Sequence, residues 1–223
     1  MKSPPAERQT FPAMEQFVSH CRRREVPARA IIIRADDTPD SLYFLRSGSV
    51  EVVINDDSGH EMVLAYLNPG HFFGEMGFFD GGTRRTAWVR ARTDCEIAEM
   101  TYPEFRQLAT TSPELVIELA TQLAIRLART NMKIGDLAFL DVTGRVAHAL
   151  IDLANEPEAI GEGASRRVKV TRPQLARLVG CSREMVSRVL KALQQQGLIY
   201  EDDDGIVVLD ESAAQAPYWQ PIP

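Results

Sequence analysis

Residues 170–200 read VTRPQLARLVGCSREMVSRVLKALQQQGLIY, and this stretch decides how the C-terminal part of the chain folds. Thr171 with Gln174 three residues on is a capping-box pattern that starts a helix. Leu175, Leu178 and Val179 give that helix one apolar face. Gly180-Cys181-Ser182 then forms a short break, with Ser182 placed to cap a second helix. Met185, Val186, Val189, Leu190 and Leu193 supply the apolar face of the second helix, and Gly197 stops it. Two short helices joined by a three-residue turn containing glycine make a helix-turn-helix candidate.

Charge points the same way. From Arg166 to Lys191 there are eight Lys/Arg and one acidic residue, Glu184, a local balance of +7 in a chain of formal net charge -6. A basic island in an acidic protein suits contact with phosphates through one face, whereas an ordinary solvated helix surface mixes signs. On the second helix Arg183, Glu184, Ser187 and Arg188 share the side opposite the apolar face. Arginine pairs bidentately with guanine O6/N7 and glutamate accepts from cytosine N4, and the first turn of a recognition helix is where base edges are reached. The expected DNA-binding residues are Arg172, Ser182, Arg183, Glu184, Ser187, Arg188 and Lys191. A closing hairpin is expected from LIYE, DDDG and IVVLD. Its acidic run Glu201-Asp202-Asp203-Asp204 would repel phosphate, so it is expected to lie to one side of DNA.

Upstream, helical patterning covers 142–154, followed by a loop rich in Gly, Glu and Pro at 155–165. A long helix is expected from about Ser112 to Phe139, with Ser112 as N-cap, Pro113 at N1 and Glu114 in the first turn. Within it Val116, Ala120, Leu123, Leu127, Thr130, Ile134 and Leu137 alternate steps of four and three, an a/d heptad seam. A core helix would show a broader stripe, so a paired helix and a homodimer are expected, with Thr130 as the polar residue of the seam.

The N-terminal half reads differently. A short helix is expected over 14–25, ending in Arg22-Arg23-Arg24. The β-rich runs AIIIR, SLYFL, SVEVVI, EMVLAYL, TAWVRA and EIAEM follow, separated by turns at Gly48, Asp56-Gly59, Asn68-Gly70 and Gly81-Gly82. Such spacing suggests a small antiparallel barrel or roll. Alternation in Ser49–Ile54 predicts one buried face. Within this region, residues 73–88 read FGEMGFFDGGTRRTAW. Glycines, a carboxylate, two arginines and a threonine this close together fit either a small-anion site or a tight solvated turn.

The 223 residues, 44% hydrophobic and 25% charged, are ordinary globular material for one large or two small domains. No apolar run approaches the roughly 20 residues that cross a bilayer. The N-terminus lacks the apolar core of a signal peptide, so a cytoplasmic protein without membrane contact is expected. Cys21, Cys95 and Cys181 are too scattered for a disulfide framework or metal pair, and reduced thiols and no metal site are expected. No nucleophile elbow, metal pair or Walker pattern appears, so no enzymatic activity is expected.

FGEMGFF, RRTAWVRARTDCEIAEM, IGDLAFLDVTGRVA and VGCSREMVSRVLKALQQQGLI together resemble the CRP/FNR superfamily of transcription regulators, most closely its cyclic-AMP receptor protein and Vfr-like group. The resemblance spans about residues 14–209. It implies an α+β chain: a cyclic-nucleotide-binding β-roll over 1–111, a dimerisation helix and hinge over 112–141, a winged helix-turn-helix over 142–210, and an irregular tail at 211–223. The implied effector-binding set is Gly74, Glu75, Met76, Arg85, Thr86, Thr130 and Asn131. In the family the glutamate receives the ribose 2′-OH, the arginine and the following hydroxyl meet the cyclic phosphate, and the threonine touches adenine. Asn131 replaces a serine that reaches in from the partner subunit. Asp141 is the implied hinge. The implied effector is cyclic AMP. Cyclic di-GMP is the alternative, as in a branch resembling the Xanthomonas regulator Clp, and Arg84 supplies a second cation that suits it. The intact Arg85-Thr86 pair distinguishes this chain from that branch. The implied partners are a palindromic double-stranded DNA operator, a second copy of the chain and RNA polymerase. At the family's polymerase-contacting surfaces, however, Ala159–Arg167 follows no enteric pattern and Glu104 stands in place of a lysine.

Overall fold

The computed structural model describes residues 12–79, 81, 83–156, 159–161, 165–202 and 204–209. The tail expected at 211–223, Gly82, Asp203 and residues 162–164 of the loop before Arg167 lie outside them. The chain divides into two compact units, Met1–Thr130 and Asn131–Pro223.

The first unit runs α1 (Pro12–His20), β1 (Arg22–Val26), β2 (Ile31–Ile33), β3 (Ser41–Ser47), β4 (Val50–Asn55), β5 (Glu61–Leu67), β6 (Phe72–Phe73), α2 (Met76–Phe79), β7 (Trp88–Ala91), β8 (Cys95–Thr101) and α3 (Tyr102–Thr111). It also holds the first part of α4 (Glu114–Phe139). The strands form two antiparallel four-stranded sheets in the orders β1-β8-β3-β6 and β2-β7-β4-β5. This is the expected roll.

Successive residues of a strand point to opposite faces, and β3 feeds two cores. Tyr43 and Leu45 join Val50, Leu67, Phe73 and Ile97 in one cluster. Leu42 and Phe44 join Phe17, Phe72, Phe105, Leu115 and Leu119 in another, where the helices cover the sheet. With both faces covered, the run SLYFL is buried throughout instead of alternating.

Three local expectations need correction. Arg22-Arg23-Arg24 is not a helix end but the start of β1, which pairs antiparallel with β8. Opposite charges across the ladder explain it: Arg24 meets Glu99 at 3.1 Å and Arg23 meets Glu96 at 3.2 Å. The alternation of β4 is interrupted between Val52 and Val53, where its register with β5 shifts. Val50 and Val53 are therefore both buried, and Ile54 faces outward. Ser112 is the C-cap of α3 and its hydroxyl donates to Gln16 Oε1 at 2.8 Å, so Pro113 and Glu114 open α4 without it as a side-chain cap.

Glu104 has a structural task. It completes a capping box with Thr101 at the start of α3, its carboxylate accepting from the Thr101 backbone N–H and hydroxyl at 3.0 and 2.7 Å. A lysine could not accept those bonds.

Along α4, Leu115, Leu119 and Gln122 are buried against the roll. Gln122 accepts from Phe72 N and donates to Gly70 O, both at 2.9 Å. The expected a/d seam lies elsewhere on the helix: Leu127, Ile134 and Leu137 are 63%, 58% and 46% exposed.

The second unit contains the rest of α4, α5 (Val142–Ala154), β9 (Arg166–Val168), α6 (Arg172–Val179), α7 (Arg183–Gln195), β10 (Ile199–Asp202) and β11 (Gly205–Val208). The hairpin is as expected, but it pairs further with β9, giving a three-stranded sheet in the order β10-β11-β9. Val146, Leu150, Leu175, Val179, Val186, Leu190 and Leu193 form its core with residues of the sheet. Thr171 and Gln174 make the predicted capping box, and Gly180 ends α6 in the left-handed region at φ 66°. Asp141 caps α5, its side chain accepting from Gly144 N at 2.8 Å.

Phe17 has no exposed surface and meets Phe44, Phe72 and Phe105 edge-on at 6.2, 5.1 and 6.1 Å. It is the wedge that holds α1 on the roll. Phe17→Ala should destabilise the protein by about 3–5 kcal/mol, read as a lower midpoint in urea unfolding. A midpoint equal to the parent's would show that α1 is dispensable for the core.

Candidate functional site

The stretch FGEMGFFDGGTRRTAW does bring a cation and a carboxylate together. Gly74 lies at φ 76°, and a Cβ there would meet Arg85 Nη1 and Tyr43 Cδ2 at 3.0 Å and Ile33 Cδ1 at 3.1 Å. Only glycine fits that turn without strain. The turn lets Arg85 Nη1 donate to Gly74 O at 2.6 Å and to Tyr102 Oη at 2.9 Å, while Nη2 donates to Ser41 O at 2.7 Å. Tyr102 Oη donates to the same Gly74 carbonyl at 2.6 Å. The rings of Tyr102 and Tyr43 lie 5.8 and 6.0 Å from the guanidinium carbon.

Arg85 is thus a buried cation fixed by neutral groups. The carboxylate that it pairs with among the described residues is Asp40, 3.8 Å away and 79% exposed. Glu75, 4% exposed, is directed elsewhere: its Oε1 accepts from Arg126 Nη1 on α4 at 3.0 Å. Arg126 Nη2 also donates to Phe72 O. Burial lowers the pKa of Arg126, partly offset by the Glu75 charge. Its Nε is buried and has no hydrogen-bond partner among the described residues.

The other expected residues fall around this pair. Thr86 donates to Met76 Sδ at 3.6 Å, and Met76 is half exposed. Thr130 lies one turn beyond Arg126 on α4 and donates to its carbonyl at 2.9 Å. Asn131 is exposed and opens the second unit. Arg84 is exposed and stands 3.6 Å from the equally exposed Asp36.

Arg126, Tyr102 and Tyr43 were not anticipated. Arg126 had a legible signal: Leu115, Leu119, Gln122 and Arg126 form a second stripe on α4 that turns polar toward its end. The two tyrosines had none, because their distance from Arg85 in sequence hides the contact.

The second candidate surface is α7. Ser182 caps it, accepting from Met185 N at 3.2 Å. Arg183, Glu184, Arg188 and Lys191 are exposed on the side away from buried Val186, Val189, Leu190 and Leu193. Ser187 donates to Arg183 O at 3.0 Å. Glu184 is held below the usual carboxylate range by its own backbone N–H and by the Ser182 side chain, so it also serves the helix start. Arg172 opens α6, but it is not free for a phosphate: Nη2 bonds both carboxylate oxygens of Glu201 on β10, at 3.0 and 2.7 Å. Arg167 Nη2 meets Asp202 Oδ2 at 2.5 Å. The acidic hairpin is therefore engaged with part of the basic island.

The three cysteines are free thiols. Burial, with a smaller contribution from Glu104, pushes Cys21 up to about 12, which suits a packing residue. Among the described residues no group of three or more His, Cys, Asp or Glu is arranged to hold a metal ion, and no helix is long and apolar enough to cross a membrane.

Residues 23–112 match the cyclic nucleotide-binding domain family, and residues 144–213 match the Crp-like helix-turn-helix domain family. The chain is 46% identical over 200 residues to the cAMP-activated global transcriptional regulator CRP of Salmonella typhimurium, covering 90% of this chain and 95% of that one. It is also 46% identical over 198 residues to the cAMP-activated global transcriptional regulator Vfr of Pseudomonas aeruginosa, covering 87% and 92%. Among solved structures, the c-di-GMP responsive global regulator CLP of Xanthomonas campestris superposes with a TM-score of 0.81 at 42% identity, covering 88% of this chain and 97% of that one. With an antiparallel roll carrying a buried arginine, a long helix and a capped helix-turn-helix, the chain belongs to the CRP/FNR family of cyclic-nucleotide-dependent, DNA-binding transcription regulators, in its CRP/Vfr-like group.

Proposed function

We propose that the chain is a cytoplasmic, homodimeric transcription regulator whose effector is cyclic AMP and which acts by binding rather than by catalysis. The carrying observation is Arg85. A guanidinium that is 7% exposed, held in place by three neutral hydrogen bonds, is a cation waiting for an anion. The bonds to Gly74, Tyr102 and Ser41 set its position in advance, so little ordering is lost when a phosphate binds.

Each residue then has a task. Arg85 and the Thr86 hydroxyl hold the cyclic phosphate, with Gly74 and Met76 lining the same turn. Glu75 accepts the ribose hydroxyl, because an ionised carboxylate can only accept. Arg126 steadies Glu75 and carries the change into α4, where Thr130 and Asn131 read the base. The exposed seam of α4 pairs with that of a second copy. Functionally the chain divides into a roll over 1–111, a helix and hinge over 112–141 and a DNA-binding part over 142–210. Arg183, Glu184, Ser187 and Arg188 read base edges, while Ser182, Arg172 and Lys191 serve the backbone. The dimer reads a palindromic site whose halves are about one helical turn, ~34 Å, apart. Nucleotide favours the DNA-competent form through differential affinity, and RNA polymerase is the downstream partner.

Cyclic di-GMP is the second reading. It is supported by the similarity to the Xanthomonas campestris regulator and by a second exposed cation, Arg84, next to Arg85 in sequence.

Calorimetry of the purified dimer with each nucleotide separates the two readings: binding of cyclic AMP alone supports the first, and binding of cyclic di-GMP alone overturns it. In fluorescence anisotropy with a palindromic operator, cyclic AMP should raise affinity, and Arg85→Leu should abolish that response while weak non-specific binding persists. Arg183→Ala should cost about 1–3 kcal/mol of discrimination between operator and scrambled duplex with nucleotide affinity unchanged. Loss of nucleotide affinity in that variant would contradict the assignment of separate sites.

A further inference from the structure

Two ion pairs tie the basic island to the acidic hairpin. Arg172 is the first residue of α6 and its Nη2 donates to both oxygens of Glu201, and Arg167 on β9 meets the carboxylate of Asp202 on the neighbouring hairpin. A cation at a helix N-terminus opposes the helix dipole, so nothing in α6 itself favours arginine there. What it gains is an anionic acceptor with two oxygens, the kind of acceptor that a phosphate also offers. The pairs are partly solvated: Arg172 and Glu201 are 43% and 27% exposed, and Arg167 and Asp202 are 32% and 29% exposed. They are open enough to exchange partners. The hydrogen bond to Asp202 raises the pKa of Arg167.

We propose that Glu201 and Asp202 are built-in phosphate mimics, holding Arg172 and Arg167 until a DNA backbone in the right position displaces them. The proposal rests on the DNA-binding reading and extends it to selectivity. Duplex that offers only phosphates must first break these pairs. An operator that also satisfies the base-reading face of α7 has the additional free energy to do so. The two carboxylates therefore weaken non-specific binding more than specific binding, and they flatten its salt dependence. A guanidinium that leaves a carboxylate for a phosphate adds less net neutralisation than one that leaves water.

The test uses the full chain with saturating cyclic nucleotide and a fluorescent duplex of arbitrary sequence, titrated over a range of KCl concentrations. Glu201→Gln and Asp202→Asn should each tighten non-specific binding by roughly 2–5-fold. Each should also steepen the slope of log K against log salt by up to about 0.9, one additional phosphate contact. A general loss of acidic repulsion would also tighten binding, so the decisive measurement is a double-mutant cycle. In an Arg172→Ala background, Glu201→Gln should have no effect on the slope. Asp204→Asn, which removes a wing charge outside both pairs, should change affinity less than Glu201→Gln. Equal slopes for parent and Glu201→Gln, or the same gain in the Arg172→Ala background, overturns the proposal. If parent and variants alike fail to bind any duplex at low salt, the DNA-binding reading itself fails and takes the proposal with it. Should the Arg172→Ala/Glu201→Gln variant unfold, the same cycle at Arg167 and Asp202 carries the test.

Discussion

Glu75 and Arg126 meet at 3.0 Å, and this ion pair ties the turn at Gly74 to the long helix. Both are largely buried, and removing one partner of such a pair leaves an uncompensated charge at a cost of roughly 3–5 kcal/mol. The turn around Gly74 and the middle of α4 are therefore held to one another chemically as well as by apolar packing. Gln122, one turn earlier, adds bonds to the backbone of the strand that leads into the turn. In the proposed effector mode, a ribose hydroxyl donating to Glu75 would compete with Arg126, whose backbone carbonyl accepts from Thr130 one turn further along. The proposed effector site and the helix would then share a residue pair, which is the physical minimum for coupling two functions.

The charge logic of the two arginine sites is opposite. Arg85 is buried among neutral acceptors and, among the described residues, pairs with a distant, exposed carboxylate, so an incoming anion would complete it. Arg172 and Arg167 are already completed by Glu201 and Asp202, so an incoming anion must replace something. The first arrangement suits a small ligand present at low concentration. The second suits a polymer whose phosphates are everywhere and whose sequence is what matters.

Much of this was legible in the sequence because it is local. The capping box at Thr171, the glycine turn at Gly180 and the apolar face of α7 all follow from spacing within a dozen residues. Strand positions were legible where turns punctuated them. What stayed hidden was set by distant partners. The run Arg22-Arg23-Arg24 looks helical alone and becomes a strand because Glu96 and Glu99 lie across the ladder. Alternation in β4 fails because of a bulge that composition does not announce. In the site, Gly74, Glu75 and Arg85 were visible as a cluster, whereas Tyr43, Tyr102 and Arg126 reach it only through tertiary folding. The hairpin acids were seen as repulsive charges, and their pairing across the unit was not.

The exposed seam of α4 has a consequence for abundance. Leu127, Ile134 and Leu137 are a standing cost in a single chain, relieved in the proposed pair. The chain's own concentration then enters its folding and its pairing equilibrium together. In the proposed pair, a higher concentration of the chain shifts each copy toward the paired form. Under the proposed function, expression level and effector level then bear on the same helix, and the two inputs are coupled.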